Sequence, residues 1–260
     1  VGIRHSYAMY VIGCLYMERC HFTNNKRGLS WNPSGPGGWV RDSVFEVTEP
    51  IFDPESFEIG YGGLGSGIVL ERCHFGVVSV IRSVQGLEMR DCSFHGLGVY
   101  ASTIATIIRS TSVGSNVAIS QSQGGSVCTV VDCDLAGETA AIAVSSDALG
   151  GRFVVENSRL AGGTSAAVYL GRFAGSCEVR GCDLIKGAGP VVRCEPNGPA
   201  VTHDLRNNFW GTTDDTMIRS WIVGASSSPS SGATVLYAPF AGQSVPTEST
   251  SWGDLKAIFR

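Results

Sequence analysis

The chain has 260 residues, a formal net charge of −4 and 34 glycines, well above the roughly 7% glycine of an average soluble protein. Only 16% of residues are charged and 43% are apolar, so the chain can bury a core but lacks the Ala-Glu-Lys-Leu runs of helices. No basic cluster interleaved with aromatics marks a nucleic-acid surface, no apolar run approaches the roughly 20 residues that span a bilayer, and no charged-then-apolar leader opens the chain.

The first segment, VGIRHSYAMYVIGC (1–14), reads directly as strand, with no visible N-terminal cap. At LYMERCHF (15–22) a pattern begins: apolar, any, apolar, two mostly polar residues, a small residue, any, apolar. It recurs at IVLERCHF (68–75), LEMRDCSF (87–94), TIIRSTSV (106–113), CTVVDCDL (128–135), FVVENSRL (153–160), CEVRGCDL (177–184) and HDLRNNFW (203–210). The small position holds Cys20, Cys73, Cys92, Thr111, Cys133, Ser158, Cys182 and Asn208. From Cys73 to Asn208 the chain takes six steps over 135 residues, about 22 per step. A period of that length marks a solenoid.

Each copy reads as strand, corner, strand. Apolar residues two apart share one face of a strand. The polar pair turns the chain, and Asp91, Asn157, Gly181 and Asn207 tolerate left-handed backbone there. A third strand follows most copies, at NVAI (116–119), AIAV (141–144), AAVYL (166–170) and PVVRC (190–194). The expected fold is all-β: a right-handed parallel β-helix of about 22 residues per coil over 1–242, with a C-terminal cap at 205–242. Leucine-rich repeats share the period but need a Leu three residues before the strand, where this chain has Val84, Gly125, Gly150, Ala174 and Ala200.

Between Cys20 and Cys73 lie 53 residues, too many for one coil. FEVTEPIF (45–52), with Pro50 in the small position, makes 23–60 a degraded coil with a long loop; the alternative is one unbroken insertion. This excursion is the candidate ligand site. Trp31 and Trp39 offer faces for sugar rings, and Asp53, Glu55 and Glu58 offer carboxylates for hydroxyls or for acid and base work.

Other residues carry weaker chemistry. The nine cysteines follow the repeat rather than any zinc spacing, and read as a ladder of small buried groups. Glu71, Arg90, Arg109, Glu156, Arg180 and Arg206 form a mixed-charge solvated ridge. His21 and His74 share a repeat position and pair on a metal only if no coil lies between them. Asp132, Asp134 and Asp183 lie near one corner, and calcium is the one cofactor considered, although it takes six to eight oxygens. Asp214 and Asp215 read as a cap or turn.

Near the end, NNFWGTTDDTMIRSWIVG (207–224) is followed by VLYAPF (235–240). This run resembles the closing segment of right-handed parallel β-helix repeat domains of bacterial secreted and cell-surface proteins, of the pectate-lyase-like fold. The resemblance implies an end made of an N-x-W-G-T run, a short Ile-containing stretch and a last strand before Pro. On physical grounds the last coil must be covered, and MIRSWI (217–222) is expected to lie across the core's end with Ile218, Trp221 and Ile222 buried. The tail 243–260 is expected to form a short helix with Leu255, Ile258 and Phe259 on one side. The catalytic sets of such enzymes (W-x-D-H, N-T-D with G-H-G and R-I-K, D-P-H) are not found. Three readings follow. The first is a non-catalytic extracellular protein with a structural, adhesive or glycan-binding role. The second is a polysaccharide lyase or glycosidase acting near 23–60. The third is a subunit associating end to end. The partner expected is a polysaccharide or cell-surface glycan.

Overall fold

The computed structural model describes residues 9–23, 29–33, 35–46, 55–60, 65–112, 114–122, 124–144, 150–172, 174–196, 200–225 and 232–244. It is nearly all-β, with two long parallel sheets of ten and fifteen strands. In the ten-stranded sheet the spatial order of strands is the chain order, from Tyr16–Glu18 to Ala233–Leu236. Neighbours in that sheet are separated in the chain by strands of the other, so the chain passes back and forth between the two. Among the described residues the one helix is Asp215–Ser220.

Side chains alternate as the two-residue strand period requires. Along the ten-stranded sheet Val40, Leu70, Met89, Ile107, Val130, Val155 and Val179 are buried and stack strand upon strand. Just past the corner, Phe22, Phe45 and Phe75 stack with near-parallel rings, 5.0 and 5.4 Å between centroids.

The corner is where sequence and backbone meet most tightly. Arg19, Asp42, Arg72, Asp91, Arg109, Asp132, Asn157, Gly181 and Asn207 all have φ between 44° and 60°. Three of these are arginines, a residue with no intrinsic taste for left-handed backbone. Two are held from the preceding corner: Arg72 grips Asp42 with both Nε and Nη2, at 2.6 and 3.0 Å, and Arg109 grips Asp91 at 2.8 and 2.9 Å.

The small column runs one residue later. Each member after Cys20 bridges two corners. Ser158 Oγ accepts from Cys133 N at 3.0 Å and donates to Glu156 O at 2.8 Å. Cys133 Sγ does the same for Ser110 N and Val131 O, at 3.4 and 3.2 Å. Asn208 closes the series, accepting from Cys182 N at 2.8 Å and donating to Val179 O and Leu205 O. The column is therefore a chain of buried hydrogen-bonding groups, which explains why Cys, Ser and Asn occupy it and Ala does not.

Two copies of the repeat lie elsewhere than the sequence pattern places them. The column residue after Cys92 is Ser110, not Thr111: Ser110 Oγ accepts from Cys92 N at 3.1 Å, and Ala105 pairs with Leu87. The copy after Cys20 is Gly38–Phe45, with Ser43 accepting from Cys20 N at 3.1 Å, so Pro50 is not in the column. Gly38 hides that copy from an apolar pattern. A Cβ there would lie 1.9 Å from Leu15 O, so the close approach of the two strands requires glycine. The stretch 23–60 thus contributes Leu29–Asn32, Pro36–Arg41, Val44–Phe45 and Glu55–Ile59, paired into both sheets. Most of FEVTEPIF (47–52) and the tail from 245 lie outside the described residues.

Candidate functional site: a cleft under the C-terminal segment

In the fifteen-stranded sheet one row of side chains follows the column residues. Register and a single bridge order it His21, Val44, His74, Ser93, Thr111, Asp134, Arg159, Asp183 and Phe209. Val44 separates the two histidines. Arg159 sits between Asp134 and Asp183, its Nη1 2.8 Å from Asp134 Oδ1. A guanidinium thus occupies the place a cation would take between those carboxylates. Among the described residues no three His, Cys, Asp or Glu side chains converge as a metal set.

The last members of this row face the closing segment. Alternation sends Leu160, Leu184 and Trp210 into the core and leaves Arg159, Asp183, Ile185 and Phe209 outside. Gly211, at φ 77°, turns the chain away after Trp210. Asp214 then caps the helix, its Oδ1 accepting from Thr216 N and Met217 N at 2.8 and 3.2 Å. Ile218 anchors the helix in the core, while Trp221 and Ile222 are half-buried. The Trp221 carbonyl accepts from Val191 N and Val192 N at 3.0 and 3.1 Å, which fixes that residue beside the sheet. The final stretch returns through Asn207 N to Pro239 O and Ala241 N to Asn208 O. It brings Ser244 Oγ to donate to Asp183 Oδ2.

Between these parts lies an open cleft of about 600 Å³. Phe209 and Trp221 supply aromatic surface, and Arg159, Lys186, Asp183 and Ser244 supply polar groups. An aromatic wall with a few convergent donors and acceptors suits a polar ring compound. Arg159 is already paired with Asp134, so the lining cation whose printed contact is not a carboxylate is Lys186, which donates to Gly187 O at 3.3 Å. Hydrolysis of a glycosidic bond needs two carboxyl groups about 5–9.5 Å apart. Asp183 is the single carboxylate among the described lining residues, and Ser244 already bonds it.

The residues singled out in 23–60 do not come together. Trp31 lies in Leu29–Asn32 of the fifteen-stranded sheet, fully buried, its Nε1 donating to Gly13 O at 2.7 Å. Glu58 is in the same sheet, between Ser30 and Val80, with 4% exposure. Trp39 is in the other sheet, half-buried, edge-on to Tyr16 at 5.8 Å and 4.7 Å below the Arg41 guanidinium. Glu55 pairs through its backbone with Val78, and Asp53 lies outside the described residues. Arg159, Lys186, Phe209 and Trp221 had no place in the sequence reading as a group. The signal available was that Asp134, Arg159, Asp183 and Phe209 share the seventh position of the repeat.

Apart from Cys20, which is half-buried, the column thiols are sealed, and so are Cys128 and Cys177 at the start of their strands. Burial pushes Cys133 and Cys182 up to about 12, and raises Cys128 and Cys177 still further. Their arrangement is structural rather than reactive. A comparison of the chain with protein-family models, with curated proteins and with solved structures finds no match.

Proposed function

We propose that the chain is an extracellular or cell-surface β-helix that binds a glycan in the C-terminal cleft without cleaving it. In this reading the two parallel sheets belong to one right-handed solenoid of about 22 residues per coil, the hand that parallel crossovers overwhelmingly take. The observation that carries the function is the cleft itself: Phe209 and Trp221 beside Arg159, Lys186, Asp183 and Ser244, built where an irregular segment covers a regular scaffold. The similarity of NNFWGTT to the closing run of secreted β-helix domains supports the location outside the cell. The sealed thiols agree with it, because buried protonated cysteines resist oxidation.

The ligand class follows from the lining. A saccharide with a carboxylate would stack on an aromatic face and place its charge near Lys186. Calorimetric titration with oligouronates and with neutral oligosaccharides tests this. Binding of the oligouronate is expected, weakened about tenfold (~1.4 kcal/mol) in Trp221→Ala and in Lys186→Ala. Absence of binding to either set, or release of new reducing or unsaturated ends, overturns the proposal.

A further inference from the structure

The outer face of the ten-stranded sheet carries a second feature, independent of the cleft. Its middle two strands, Ile104–Ile108 and Val127–Val131, present Ile104, Thr106 and Ile108 beside Val127, Thr129 and Val131. No charge falls among these six outward positions. Ile104 is 43% exposed and the other five are half-buried. Charged residues begin on the next strand to either side, at Glu88 and Arg90 and at Arg152 and Glu156.

The order of those charges is informative. One register row reads Glu71, Arg90, Ile108, Val131, Glu156, Arg180. Read from its two ends inward, it places Glu71 against Arg180, Arg90 against Glu156 and Ile108 against Val131. Every charged position therefore maps onto its opposite. The neighbouring row is Val69, Glu88, Thr106, Thr129, Val154, Glu178, and the next is Ser66, Gln85, Ile104, Val127, Arg152, Ser176. Under the same mapping neither row sets like charges together. The corner row agrees, with Arg109 against Asp132.

A two-fold axis lying between the two middle strands and parallel to them performs this mapping when one sheet face meets a second copy. Isologous contact requires a surface that complements its own rotated image. A row whose sign reverses under the rotation meets that requirement. We infer that this face is a self-association surface, through which two copies of the chain pack sheet to sheet about an axis between Ile104–Ile108 and Val127–Val131. Its uncharged centre of Ile, Val and Thr excludes water. Its flanks add four intermolecular ion pairs, two from Arg90–Glu156 and two from Glu71–Arg180, to the pairs that Arg90, Glu71 and Arg180 already make within the chain with Glu88, with Arg41 and Arg72, and with Glu178.

Six strands about 4.8 Å apart and five residues of about 3.3 Å cover roughly 500 Å² on each copy. The total of about 1,000 Å² is at the low end of specific interfaces, so the dimer is weak. Sedimentation velocity from about 5 to 500 μM tests it. The wild type is expected to shift from monomer to dimer across this range. R90E sets two carboxylates against each other twice per dimer and is expected to weaken association tenfold or more. R90E/E156R restores opposite charge and is expected to recover most of it. I108K/V131K, which charges the centre, is expected to remain monomeric. Circular dichroism confirms that the variants fold, all four positions being on the outer face. A strictly monomeric wild type overturns the inference. So does a dimer indifferent to R90E and I108K/V131K, which would use another surface, or a folded double variant that fails to recover what R90E lost.

Discussion

Replacing Ser158 with alanine separates two accounts of the small column. If the column only needs small residues, alanine fits and removes a buried hydroxyl, so stability holds or rises. If the column is a hydrogen-bonding device, alanine strands a donor. Ser158 is fully buried, and its Oγ takes the Cys133 N–H at 3.0 Å. The Glu156 carbonyl that Ser158 also bonds is less affected, because it still accepts from Asp132 N at 3.1 Å. The net loss is therefore one unsatisfied buried N–H, about 1–3 kcal/mol. With a urea slope of about 3 kcal/mol/M, a loss of ~2 kcal/mol lowers the midpoint by about 0.7 M. Ser158→Cys restores an acceptor of the kind used at Cys133 and Cys182, and is expected within about 1 kcal/mol of wild type. Urea unfolding followed by fluorescence and circular dichroism, with coincident transitions, measures both. An alanine variant as stable as wild type would refute the hydrogen-bonding account.

Further expectations follow from the same geometry. Asn208→Ala removes three buried bonds at once and is expected to cost more than Ser158→Ala, about 3 kcal/mol or above, by the same unfolding assay. Ellman titration of the native protein is expected to reach Cys14, which is exposed, and Cys20, which is half-buried, and to miss Cys128, Cys133, Cys177 and Cys182 until denaturant is added. His203 is buried and lowered to about 4 by desolvation from its ordinary 6.5, with no partner at Nδ1. The folded state therefore binds fewer protons than the unfolded state between those values, so stability is full above about 6.5 and falls as pH drops toward 4, by ~3 kcal/mol. His203→Gln is expected to flatten unfolding free energy over that window, and an unchanged slope would count against the assignment.

Much of the scaffold was legible because one constraint repeats. Where Cys holds the sixth position, as at Cys73, Cys92, Cys133 and Cys182, the corner and both flanking strands lie where the pattern puts them. The pattern fails where the column holds serine and the first position of the repeat copy is small, Gly38 before Ser43 and Ala105 before Ser110. Gly38 is there for backbone approach, and Ala105 leaves Ile107 and Ile108 as equally plausible inward residues. The cleft was harder to see. Arg159, Asp183 and Phe209 are 24 and 26 residues apart, and Trp221 belongs to no repeat at all. Only the parallel register and the returning closing segment bring them together. The 23–60 aromatics misled for the converse reason: Trp31 stands out by composition, yet its place in a paired strand turns it inward.

The corner residues carry a consequence for how such a chain changes length. From Arg19 to Asp132 they alternate basic and acidic: Arg19, Asp42, Arg72, Asp91, Arg109, Asp132. The residues just before the first four, Glu18, Arg41, Glu71 and Arg90, alternate in the opposite phase. The geometric unit is one rung, but the electrostatic unit is two. Excising the single rung around Asp42 would set Arg19 on Arg72 and Glu18 on Glu71, two like-charge contacts at once. Excising the rungs around Asp42 and Arg72 together would set Arg19 on Asp91 and Glu18 on Arg90, opposite charges in both contacts. In this half of the molecule, growth or loss by even numbers of rungs keeps the charges matched, and a change by one leaves a mismatch that further substitutions must repair.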